Sequence, residues 1–319
     1  MRDMRVREAV SKNVVAVAGE GGVAITNSTL HAKASPLSVV LLLLAALIFS
    51  TGGLFVRSLD HQRAWTTVFW RSLAACCSLG LLIWWRERAK AVRAITTMTR
   101  PGLAVAVAFS ASSIGMVVAL SRTSVAIVLV IFALSPLAAA ILAWVLIGER
   151  VRNYTWLAIA VTIGGVVFMV SGSNARGSVI GALIALTIPL SFGFGAVMIR
   201  RHADIRMAPA MLWAAVISLI ISVPFAHPFD INRHDLVLLV FFGFAQLGVG
   251  LAIFSVGAAR APATDVALLS MLEPIMGPVW VWLFRNEYPG VPALIGGGIV
   301  FVALAAHTLY AASRTAVPT

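Results

Sequence analysis

Ten apolar runs, each of about 20 residues, divide this sequence from end to end. They lie near 37–56, 64–85, 101–120, 124–147, 154–172, 177–199, 207–226, 236–258, 263–284 and 291–312. A run of that length spans a bilayer as a helix at 1.5 Å per residue. Between the runs stand charged or turn-forming residues such as Asp60, Arg86 to Arg93, Asn153 and Pro228 to Asn232. Arg122-Thr123 is read as a tight loop between the third and fourth runs. Only 11% of the chain is charged and 60% is hydrophobic, against about a quarter charged in ordinary soluble domains. A soluble fold has no means of hiding that much apolar surface, so lipid must solvate most of the chain.

The net charge of +12 does not point to nucleic acid. The basic residues sit in loops between apolar runs, as cytoplasmic membrane loops do. Seventeen Lys and Arg fall on the side of the N-terminus and six on the other, with Arg71 inside a run. That asymmetry puts both termini in the cytoplasm, which requires an even number of spans. Cys76 and Cys77 are adjacent within an apolar run and read as small apolar filler. Residues 1–36 read as a disordered, basic cytoplasmic tail and 313–319 as a second short tail.

Shifting residues 122–149 by 138 positions superimposes Arg122 on Arg260, Val128 on Val266 and Leu134 on Leu272. The same shift puts Pro136 on Pro274, Trp144 on Trp282 and Glu149 on Glu287. Pro, Trp and Glu are scarce here, so composition does not explain the match. At an offset of 143, Phe49, Gly52 and Arg57 fall on Phe192, Gly195 and Arg200. Each copy holds five runs, an odd number, so the second must cross the membrane in the opposite sense. Inverted repeats are characteristic of secondary transporters with substrate near the midplane. The expected fold is all-α, with ten transmembrane helices as two inverted five-helix repeats, 37–172 and 177–312, around a central cavity.

Leu134-Ser135-Pro136 to Gly148-Glu149-Arg150, and Leu272-Glu273-Pro274 to Asn286-Glu287, resemble the two fourth-helix signatures of the EamA family, within the drug/metabolite transporter superfamily. Arg71 and the Gly-rich fifth spans (Gly164-Gly165, Gly296-Gly297-Gly298) fit the same pattern. Asn286 departs from it by standing where Gly is usual. The resemblance implies a multi-pass protein of the bacterial inner membrane that moves small metabolites, usually outward, among them amino acids and related compounds. Its partners would be a small-molecule substrate, the lipid bilayer and, as a candidate coupling ion, the proton. An uptake carrier of the same fold remains open, as do a non-transporting sensor or assembly partner and a membrane-embedded enzyme.

Glu273 is the carboxylate placed deep in a span, where ionisable groups usually carry function. Proton coupling, a substrate amine and a structural contact to Arg71 or to backbone beside Pro274 are its candidate roles. Arg71 is a candidate for a substrate carboxylate or for snorkelling to the interface. Pro136 and Pro274 break helices at matched positions and are candidate hinges. Gln246, Ser110, Ser113 and Ser191 are polar groups in mid-span that bind ligand or join helices, and Trp280 is a candidate for lining the cavity. Glu149 and Glu287 read as structural helix-end acids pairing with loop arginines such as Arg150, Arg152 or Arg285. Trp144 and Trp282 read as interface anchors. No metal spacing, P-loop or catalytic constellation is present, so neither a cofactor nor an enzymatic reaction is expected.

Overall fold

The computed structural model describes residues 36–60, 63–148, 151, 153–171, 176–202, 206–258, 266 and 269–315. The expected tail at 1–36 lies outside them except for Pro36, as do Glu149, Arg150, Arg152, Arg260 and the Ala261-Pro262 loop.

Every described element is helical. In chain order they are α1 (Pro36–Ser50), α2 (Gly52–Ser58), α3 (Ala64–Glu87), α4 (Ala91–Thr96), α5 (Arg100–Leu120), α6 (Val125–Phe132) and α7 (Ser135–Ile147). Then follow α8 (Asn153–Ser171), α9 (Arg176–Ala185), α10 (Thr187–Arg201), α11 (Met207–Ser222) and α12 (Arg233–Phe242). A π-helical segment, Gly243–Gly250, joins α12 to α13 (Leu251–Ala258), and α14 (Leu272–Arg285) and α15 (Val291–Thr315) complete the order.

Eight helical stretches among the described residues are long and apolar enough to cross a membrane. They include the broken pairs α1–α2 and α6–α7, and the run α12–π–α13. The expected run 207–226 yields a shorter apolar helix, α11, because the chain turns at Val223 to Phe225. Of the expected run 263–284, the described continuous helix begins only at Leu272. Side chains such as Leu157, Val302 and Val237 are about two-thirds exposed or more. A bilayer, not water, is the solvent that tolerates such a surface. Helices satisfy their own backbone polar groups, and that makes them stable in lipid.

Local signals set the helix ends. Ser124 and Asn232 cap α6 and α12 by accepting from Ile127 N (3.4 Å) and Asp235 N (2.7 Å). Thr99 caps α5, with Pro101 in its first turn. The Arg122-Thr123 loop is a turn, as expected. Gly148 ends α7 at φ 70° and Asn286 ends α14 at φ 53°. These are repeat-related positions, and Asn tolerates the left-handed conformation better than other residues with a Cβ. The departure from Gly therefore leaves the helix stop intact.

The helices pack in matched sets. α1 lies against α13 and α14, while α10 lies against α5 and α7. α3 packs on the π segment and α12, while α11 packs on α5. α3 also meets α11, and α8 meets α15. At the last crossing, a Cβ on Gly165 would lie 3.0 Å from Gly296 O, and one on Gly296 would lie 2.5 Å from Gly165 O. Two backbones touch there, which small residues permit.

Candidate functional site

The first helix breaks at Thr51, between α1 and α2. Ser50 and Thr51 turn their hydroxyls back onto Leu47 O and Ile48 O at 2.8 and 2.6 Å. Such back-bonding competes with the helix ladder and bends it. Gly52 follows, and a Cβ there would lie 2.7 Å from Gln246 Nε2. Gln246 uses the space to donate to Phe49 O at 2.8 Å.

Gln246 lies in the π segment, a form that recurs at functional sites. Three glycines let this segment approach its neighbours. A Cβ on Gly243 would meet Arg71 O at 2.5 Å, one on Gly248 the Ser78 side chain at 2.7 Å, and one on Gly250 the Phe49 ring at 2.8 Å. The approach at Gly243 brings Phe242 beneath Arg71, whose Cζ sits 4.8 Å from the ring centroid. Arg71 Nη1 donates to Ser113 Oγ at 2.8 Å, and Arg71 is 8% exposed. Its Nε is buried with no hydrogen-bond acceptor among the described residues.

Trp280 Nε1 donates to Ser50 Oγ at 2.8 Å. Glu273, Gly277 and Trp280 recur at i, i+4 and i+7, one face of α14. A Cβ on Gly277 would meet Leu129 Cδ1 at 2.0 Å and Ser50 O at 3.4 Å, so this face is turned to the α1–α2 break. Glu273 is half-buried in the first turn of α14 and has no hydrogen-bond or ion-pair partner among the described residues. The break, the π segment and α14 thus gather Arg71, Ser113, Gln246 and Trp280, with Glu273 two turns from Trp280 along α14.

The other candidates lie elsewhere. Ser110 bonds Ser218 at 3.0 Å, a buried link between α5 and α11. Ser191 is half-buried on α10, which packs on α5, α6, α7 and α9. Pro136 and Pro274 each stand in the first turn of a helix, after a turn at Ala133-Leu134 in one case and Met271 in the other. Each proline is therefore accommodated at a helix start and not inside an unbroken helix. Trp144 and Trp282 are each 47% exposed and edge-packed on Trp156 and Tyr288.

Glu287 pairs with Arg57, Nε to Oε2 at 2.8 Å, where the sequence had offered Arg285 as one partner. Arg285 instead donates to Arg57 O at 3.0 Å. Asp60, His234 and Asp235 also converge, with ligand atoms within 4.8 Å of one another. Asp235 there accepts from Asp60 N at 2.9 Å, and Asp60 accepts from Asn232 at 2.8 Å. Close by in sequence, a cleft of about 500 Å³ is lined by Arg63, Trp65, Phe225, His227 and Asp230, with Arg63 paired to Asp230. Sequence reasoning missed Phe242 and the π segment. The Gly243, Gly248, Gly250 spacing was a usable signal for the latter.

The EamA-like transporter family matches residues 36–171 and again 179–308. The chain is 26% identical over 178 residues to the uncharacterized transporter YwfM of Bacillus subtilis (strain 168). That alignment takes in 53% of this chain and 60% of YwfM, so the chain spans under two-thirds of that relative's length. A solved crystal structure superimposes with TM-score 0.59 at 18% identity, covering 88% of this chain and 99% of the other. That likeness shows the fold alone. The duplicated match makes this a multi-pass membrane protein of two repeats, in a family of transporters and not of enzymes. The chain belongs to the EamA-like transporter family.

Proposed function

We propose that the protein is a secondary carrier that exports a small polar metabolite, an amino acid or related compound, across the bacterial cytoplasmic membrane. In this reading the chain has ten spans in two inverted sets of five, 37–172 and 177–312. Both termini are cytoplasmic, and the two sets rock about a site near the midplane. The 138-residue offset, the matched helix contacts and the Gly165–Gly296 crossing support the inversion. The Lys and Arg asymmetry supports the orientation, and the family resemblance supports the outward direction.

One observation carries the reading. Polar side chains from both matched segments gather where a broken helix, α1–α2, meets a π segment, α12–π–α13. Carriers place their substrates at such discontinuities between repeats. Arg71, Gln246, Ser113 and Trp280 are the proposed lining. Glu273 is the proposed coupling group, because a half-buried carboxyl with no partner among the described residues is free to exchange a proton with solute or water.

Metabolite profiling of deletion and overexpression strains tests the function. A compound that accumulates inside the deletion strain and outside the overexpressor is the expected result; unchanged profiles in both strains, or the opposite direction, overturn it. Proteoliposome flux of that compound then tests coupling. If Glu273→Gln carries it as wild type does across roughly pH 5.5 to 8, Glu273 has no coupling role.

A further inference from the structure

We propose that Arg71, Ser113 and Phe242 form a subsite for a carboxylate on the transported solute. The proposal rests on the carrier reading above and adds the group by which the cargo is held and the residues that hold it.

Arg71 does not snorkel. Its head is held inward by Ser113 on α5 and lies over the Phe242 ring, and the residue is 8% exposed. A cation at that depth needs an anion. One neutral hydroxyl and one ring face hold a guanidinium in place, but they do not neutralise it. Among the described residues no Asp or Glu pairs with it: the acids in ion pairs are Glu287, Asp230, Glu87, Asp60 and Asp235, each with another partner.

The shape of the unmet demand identifies the ligand. Ser113 takes Nη1 and the ring covers one face. The Nε edge is left over, and Nε is buried without an acceptor among the described residues. That edge carries two parallel N–H groups, on Nε and Nη2, and a carboxylate accepts from both at once. A phosphate dianion would bring a second charge, and Arg71 is the only Lys or Arg placed inside an apolar run of the sequence. A single carboxylate balances the charge. The close approach at Gly243 fixes the geometry, because a side chain there would strike Arg71 O and push Phe242 away from the guanidinium.

The test uses the purified full-length protein in detergent, with thermal unfolding followed by tryptophan fluorescence. The probes are acetate, benzoate, L-leucine and L-phenylalanine, each beside its amide (acetamide, benzamide, leucinamide, phenylalaninamide). At least one carboxylate is expected to raise the midpoint and its amide is not. Arg71→Lys, which keeps the charge but loses the fork, is expected to weaken the effective carboxylate by about tenfold or more. Arg71→Gln is expected to abolish the shift, and Ser113→Ala to weaken it several-fold. If Arg71→Gln fails to fold, Arg71→Lys and Ser113→Ala decide.

Three results overturn the proposal: an amide that stabilises as well as its acid, a shift that survives Arg71→Lys and Ser113→Ala unchanged, or no shift from any carboxylate of the set. A fourth is that Arg71→Gln/Glu273→Gln proves more stable than either single variant, because Glu273 would then be the counter-ion. Flux of a neutral or cationic solute with no carboxylate binding removes this proposal and leaves the carrier standing. A carboxylate shift with no flux of any solute does the reverse.

Discussion

Glu287 holds Arg57 at 2.8 Å, and its other carboxylate oxygen accepts from Val125 N at 3.3 Å. Arg57 also donates to Thr123 O at 2.7 Å. One acid in the α14–α15 turn therefore ties together the end of α2, the α5–α6 turn and the first turn of α6. A carboxylate at a helix N-terminus also complements the helix dipole.

Removing that acid should loosen all three segments. Glu287→Ala loses both the ion pair and the helix contact, and is expected to cost about 1–2 kcal/mol. Glu287→Gln keeps an acceptor for Val125 N and should cost about half as much. Exchanging the charges, Arg57→Glu with Glu287→Arg, should recover part of the pair but not the contact to Val125. Melting temperatures in detergent check the order; equal losses for Ala and Gln would mean that the helix contact is unimportant.

Adjacent glycines should behave oppositely. Gly165→Ala places a methyl 2.9 Å from Val300 Cγ2 and 3.0 Å from Gly296 O, whereas Gly164→Ala meets nothing within 4 Å. The first should lower the melting temperature as α8 and α15 are forced apart. The second should be neutral or slightly stabilising, since Ala is the better helix former by up to about 1 kcal/mol. Comparable losses at both positions would contradict the crossing.

Ser110 and Ser218 should act as one unit. Their hydroxyls meet at 3.0 Å in a buried site, and Ser218 also bonds Ala214 O. Interhelical bonds of this kind are worth about 0.6 kcal/mol on average. Each single alanine variant should therefore be mildly destabilised, and the double variant should lose less than the sum. Strict additivity in a double-mutant cycle would show the two hydroxyls to be independent.

Gln246 should matter more for flux than for folding. Gln246→Leu leaves Phe49 O without its side-chain donor, a cost of about 1–3 kcal/mol if no water replaces it. Transport of the cargo is expected to fall at least tenfold while the protein still reaches the membrane. Trp280→Phe, which keeps an aromatic ring but loses the bond to Ser50 Oγ, should fall less. Normal flux in Gln246→Leu would exclude it from the solute pathway.

The sequence alone determined that this is a helical membrane protein, because run length and charge distribution report directly on the solvent of each segment. It also determined the repeat, because Pro136 and Pro274, and Glu149 and Glu287, recur at one offset. Lateral contacts were not legible. In lipid both the bilayer and the protein interior are apolar, so a buried helix face and a lipid face have similar composition. The partner of Glu287 was open between several arginines until the fold brought up Arg57, 230 residues away. The orphaned edge of Arg71 likewise depends on Phe242 and Ser113 arriving from separate helices. Only tertiary packing decided which faces meet, because contacts between helices are fixed by close approach at small residues such as Gly52, Gly243 and Gly277, and spacing along the chain does not encode where such surfaces dock.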